Sequence, residues 1–159
     1  MPQKDMTKFQ RYWEVAIDMK VEFTILGEPC GKGRPRFRRV GQFVKTYTPE
    51  DTVNYENLVK MSYKMEHGLT RFGDTQPLLM CVKAYYSIPK SVSKKQRQLM
   101  LDKKIRPTKK PDWDNIGKIV ADSLNGIAYR DDAQVVDAFV RKYYSDCPRV
   151  EVTITDDED

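Results

Sequence analysis

The chain has 159 residues, enough for one domain with its own core. Hydrophobic residues make up 40% and charged residues 32%, an ordinary globular balance that excludes fibrous and low-complexity classes. Lysine plus arginine number 28 against 23 acids, and four of those acids form the tail Asp156 to Asp159, so the body is basic and favours an anionic partner, nucleic acid first.

Other classes fall away quickly. No apolar run approaches the roughly 20 residues of a membrane helix, and "MPQKDMTKFQ" lacks the apolar core of a secretory signal. Cys30, Cys81 and Cys147 are scattered and odd in number, which argues against a disulfide framework and for a reducing, cytoplasmic setting. With His67 the sole histidine, a zinc cluster is not expected.

In chain order, residues 1–18 read as an extension, in which Phe9, Tyr12, Trp13 and Ala16 recur at helical spacing. "KVEFTIL", Lys20 to Leu26, alternates as a strand and stops at Gly27. "RPRFRRVGQFVKTY" predicts a hairpin turning near Gly41, its first arm strongly basic. Thr48 as N-cap and Pro49 at the first helical position open a helix that closes at Gly68. A long central strand runs over Pro77–Ile88. Ser93 with Gln96 three residues on is a capping-box signature for a second helix.

A third helix carries Ile116, Ile119, Val120, Ser123 and Leu124 on one stripe and ends at Gly126. "AQVVDAFVRKYY" and "PRVEVTI" are two closing strands joined near Pro148. Strands and helices mix without a regular βαβ repeat, so the expected class is α+β. The body is taken as residues 19–155 and the acidic tail as residues 156–159.

The chemistry concentrates in "KKPDWDN", Lys109 to Asn115. Asp112 and Asp114 lie at the mouth of the third helix, and in extended backbone residues two apart point to one side. Two carboxylates aimed at one point suit a hard divalent cation such as Mg2+. Lys118 and Asp122 follow at four-residue steps on one helix face, away from the apolar stripe. The loop "RDDAQ" offers a second pair, Asp131 and Asp132. The plain alternatives are a helix cap at Asp114, a surface ion pair with Lys118 and a solvated turn.

"KPDWDNIGKIVADSLNGIAYRDDAQV" resembles the hallmark of the RusA family, the Holliday-junction resolvases of bacteria and their phages. "GEPCGKGRPRFRR", "YTPEDTVNYE" and "PRVEVTI" are similar to other segments of that family, so the likeness spans roughly Phe23 to Ile154. It implies a single α+β domain with a mixed or antiparallel sheet and about three helices. It also implies a homodimeric endonuclease that cuts four-way DNA junctions by paired symmetric nicks, using Mg2+ or Mn2+ in place of it. The family's three essential aspartates match Asp112, Asp114 and Asp131, with Asp132 the alternative third ligand, and its helix lysine matches Lys118.

The basic clusters complete the expectation. Lys32, Arg34, Arg36 and Arg38, followed by Arg39, lie in a stretch without an acid from Cys30 to Pro49, and alternation puts Arg34, Arg36 and Arg38 on one strand face for phosphate contact. A second patch runs from Lys94 to Lys110 and includes Lys109 and Lys110. Trp113, Phe37 and Tyr129 are candidates to stack on unpaired bases, though packing is the simpler use and Trp113 is expected to point into the core. Tyr85, Tyr86, Phe139, Tyr143 and Tyr144 are candidates for a dimer surface. Two other readings compete: a non-catalytic protein that binds branched DNA, and a nuclease acting on flaps or forks.

Overall fold

The structure, a computed structural model, describes residues 19–156. The expected helix within residues 1–18 and most of the acidic tail lie outside the described residues. No helix among the described residues is long and apolar enough to cross a membrane.

Strand β1, Lys20–Leu26, buries Val21, Phe23 and Ile25 and exposes Lys20, Glu22 and Leu26. It pairs antiparallel with β6, Arg149–Asp156, so that Phe23 faces Val152. Strand β6 pairs antiparallel with β4, Leu78–Ser87, which in turn pairs parallel with β5, Val135–Ser145. The sheet order is β1-β6-β4-β5, a mixed sheet. The closing strands are therefore consecutive in sequence but separated by β4. Asp146 to Pro148 bridge two strand spacings, roughly 10 Å, which a fully stretched three-residue link can span.

One face of the sheet is covered by helices. Helix α1, Glu50–His67, contributes Tyr55, Val59 and Tyr63 to the core. Helix α3, Trp113–Ser123, contributes Ile116, Ile119 and Val120, with Leu124 just past its end. The short α2, Lys94–Leu101, is opened by the expected capping box of Ser93 and Gln96 and buries only Met100.

The start of α1 differs from expectation by one residue. Pro49, not Thr48, holds the cap position, and no side chain caps the helix. The Pro49 carbonyl itself accepts from the N–H groups of Thr52 and Val53, at 3.1 and 3.2 Å. Glu50 and Asp51 add negative charge at the positive end of the helix.

Between β1 and α1 the chain forms a separate two-stranded hairpin, β2, Arg36–Val40, and β3, Phe43–Tyr47, which turns at Gly41 with φ +62° as expected. The segment leading to it crosses α3 closely. A Cβ on Gly31 would lie 2.9 Å from the Pro111 Cβ and 3.1 Å from that of Asn115. Just beyond, the Lys32 N–H donates to the Asn115 carbonyl at 2.9 Å, and the Gly33 N–H donates to the Thr52 hydroxyl at 3.2 Å. Gly31→Ala is thus expected to destabilise the protein by about 1–3 kcal/mol through overpacking, read as a lowered urea midpoint; an unchanged midpoint contradicts the close approach.

Candidate active site

The loop before α3 is fastened to the sheet. The Tyr86 hydroxyl donates to the Pro111 carbonyl at 2.9 Å, the Lys142 ammonium donates to the Lys109 carbonyl, and the Arg106 Nε donates to the Lys142 carbonyl at 3.0 Å. Burial, reinforced by the nearby Asp112 carboxylate, pushes the Tyr86 hydroxyl up to about 12, so it stays a proton donor at neutral pH. These bonds set where α3 begins.

Asp112 is the residue before the helix and has extended backbone. Its carbonyl accepts from the Ile116 N–H at 3.1 Å, but its carboxylate makes no cap hydrogen bond. Asp114 already belongs to the first helical turn. The expectation that both side chains project from one extended stretch is therefore corrected, because the helix starts at Trp113, three residues before the apolar stripe begins at Ile116. Asp112 lines a shallow recess with Lys110, Asn115 and the Cys30–Lys32 segment. Asp114 instead lines a cavity of about 400 Å³ between α3 and strands β4 and β5.

That cavity collects the chemistry. Asp114, Lys118 and Asp132 line it, with Trp113, Gly117 and Phe139 among its walls. Asp114 and Lys118 are exposed, and Asp132 is partly buried. Burial and the neighbouring Asp122 and Asp131 carboxylates hold the Asp132 carboxyl above the usual range. Asp131 is turned to a local task. Its carboxylate accepts from the Ala133 N–H at 2.8 Å and forms a capping box with Gln134 around the 3-10 turn Asp132–Gln134. The Gln134 amide donates to the carbonyls of Gly73 and Gln76, at 2.7 and 3.1 Å, and the Asn125 amide oxygen accepts from the Asp132 N–H at 2.8 Å. The loop is thereby held against the end of α3.

Sequence reasoning did not single out Asn125 or Gln134, although Asp131 followed three residues later by Gln134 is a legible cap signal. Asp122 was noticed only for its helix face; it faces both Asp132 and Lys32. Lys32, expected to meet DNA phosphate, has its ammonium between Glu56 and Asp122, the latter at 3.3 Å. This ion pair joins the hairpin's root to α1 and α3. Trp113 is a further correction: it is 66% exposed, because its place in the first turn sets it above Gly117 and beside the apolar stripe. Tyr129 is fully buried, and its hydroxyl donates to the Ala121 carbonyl at 2.6 Å. No group of three or more histidine, cysteine, aspartate or glutamate side chains among the described residues is arranged to hold a metal ion.

A model of the family described as Endodeoxyribonuclease RusA matches residues 27–155. The chain belongs to the RusA family. It is also similar to the uncharacterized protein YqaN of Bacillus subtilis (strain 168), with 41% identity over 136 residues, 84% of this chain and 94% of that protein. The family places the chain among endonucleases that cut DNA, and the match contains the whole of α3, the cavity and the hairpin.

The basic surface of this RusA-family chain has two parts. Lys109 and Lys110 are exposed on the loop before α3, and Lys103 and Arg106 lie over the Tyr143 ring at 4.7 and 4.6 Å. Arg34, Arg36 and Arg38 are exposed at and beyond the hairpin's root. Among the aromatic residues that are candidates for a dimer surface, Tyr85, Tyr86 and Tyr143 are buried within the chain, whereas Phe139 is half exposed.

A carboxyl with a raised folded pKa favours folding while protonated, and that contribution is lost as pH rises from its ordinary 3.8 through the folded value. Asp132→Asn is expected to raise the melting temperature at pH 7 in the presence of a chelator, with the gain vanishing below about pH 3.8. A gain that persists in acid places its cause outside the carboxylate cluster.

Proposed function

We propose that this protein is a divalent-metal-dependent endonuclease that resolves four-way DNA junctions as a homodimer. The observation that supports the reading most directly is the cavity where Asp114, Lys118 and Asp132 meet at solvent on one flank of α3. Family membership supplies the reaction class.

The donor set suits a hard cation. Mg2+ sites that act on phosphate take one or two carboxylates and complete their shell with water and substrate oxygen, so a closed trio is not required. Asp114 and Asp132 are the ligands we assign, with Mn2+ a substitute for Mg2+. Asp112 stands at the same helix mouth but lines the separate recess beside Asn115, and it is the third carboxylate that the family likeness implies. Of the two loop aspartates, Asp132 is favoured because Asp131 is occupied by its own turn. When bound, the ion would supply an activated water and offset charge developing on the phosphate.

The chain's own residues do the rest. The Lys118 ammonium holds the scissile phosphate and stabilises charge on its oxygens. Lys109 and Lys110, with Arg34 at the root of the hairpin, neutralise the flanking backbone phosphates. Lys32 holds Asp122 rather than DNA, which steadies the acidic neighbour of Asp132. A two-fold dimer presents two equivalent sites, as paired symmetric nicks need.

Asp114→Asn is expected to abolish cutting of a synthetic four-way junction in Mg2+ while binding in a chelator stays within about threefold. Lys118→Ala is expected to lower the single-turnover rate by roughly 10²–10³-fold with little change in affinity. A gel showing bound but uncut junction with the unaltered protein and Mg2+ would sink the nuclease reading in favour of a binding-only protein. Equal cutting of junction, fork and flap would remove the junction preference.

A further inference from the structure

The hairpin β2–β3 stands apart from the core. Every residue of both strands is exposed, including Phe37, Phe43 and Val44 at 73%, 76% and 66%. An isolated two-stranded ribbon is marginal in water, and one that also exposes this much apolar surface gains by being covered. The ribbon and its root hold six cations and no acid between Cys30 and Pro49. Charge complementarity therefore favours a polyanion and disfavours a second copy of the same basic ribbon.

Register sorts the side chains. Arg36 pairs with Tyr47, Arg38 with Lys45 and Val40 with Phe43. Directly paired residues share a face, so Arg36, Arg38 and Lys45 lie together with the apolar Phe43 and Val40 beside them. The other face carries Phe37, Arg39, Val44 and Thr46.

We propose that the β2–β3 ribbon enters the major groove of a duplex arm next to the cleavage site, with the Arg36–Arg38–Lys45 face toward the base edges. The inference takes DNA as the partner from the nuclease reading above and adds a mode of contact to it. A two-stranded ribbon fits a major groove about 12 Å wide. Arginines match the acceptor edge of guanine there, and apolar side chains match thymine methyls, a combination that phosphate contact alone does not call for. The ribbon's root is clamped to α3 by the Lys32 N–H bond to the Asn115 carbonyl and by the close pass of Gly31. Groove engagement thus fixes the distance between the ribbon and the Asp114 cavity.

The test uses the full chain and a four-way junction in a chelator, so that nothing is cut. The triple variant R36A/R38A/K45A is first shown by circular dichroism to melt like the parent. Junction affinity at fixed salt is expected to fall by roughly 10- to 100-fold in the variant. Dimethyl sulfate footprinting is expected to show guanine N7 atoms of one arm protected by the parent protein and reactive with the variant. An unchanged affinity overturns the ribbon as a DNA contact. A reduced affinity without N7 protection by the parent overturns the major-groove placement. Protection that depends on the ribbon, in a protein that never cuts in Mg2+, would defeat the nuclease reading and leave this inference standing.

Discussion

Helix α3 buries Ile116, Ile119 and Val120, and Leu124 just past its end, completely against the sheet and α1. Each such side chain contributes about 1.5–3 kcal/mol on burial, so the seam is strong enough to fix the rotation of the helix. With that rotation set, Asp114, Lys118 and Asp122 are left off the seam, and they follow one another at four-residue steps. The charged groups of the site thus sit where an apolar stripe has no use for the helix surface.

Holding carboxylates together has an electrostatic cost, and the fold offsets only part of it. Lys32 sits between Glu56 and Asp122, so two acids share one cation at the junction of α1 and α3. Among the described residues Asp132 gains no such partner, and its carboxyl is held above the ordinary range by burial and by Asp122 and Asp131. A cluster left partly uncompensated in the protein alone is one that a bound cation stabilises. The loop that presents it is rigidly anchored all the same, through Gln134 to the Gly73–Gln76 turn and through Asn125 to the end of α3.

The molecule divides its cations by use. Those packed on the body lie across aromatic rings: Arg106 over Tyr143 holds the segment before α3 to β5, and Arg149 on β6 lies over Tyr85 of β4. Those on the ribbon touch little of the chain that carries them. The first group builds the platform, and the second extends from it next to the site because the segment Gly31–Gly33 is fastened to α3 and α1 before the chain leaves the body.

Much of this was legible in the residues. Alternation in "KVEFTIL" and "PRVEVTI", the Ser93–Gln96 box, the Gly41 turn and the α3 stripe are local patterns, and the structure reproduces them because each is set by neighbours within a few residues. The motif from Lys109 to Asp132 announced the family for the same reason. What local pattern leaves open is any meeting between distant segments. The insertion of β4 between β5 and β6, the exposure of Trp113 and the capture of Lys32 by Glu56 and Asp122 depend on how the elements pack. So does the choice between Asp131 and Asp132. Both are identical side chains in one turn, and only the placement of that turn against α3 directs Asp132 into the cavity and Asp131 to its own backbone. Sequence determined which chemical groups were present and on which elements; tertiary packing decided which of them face one another, because the energy of charges and contacts depends on distances through space rather than along the chain.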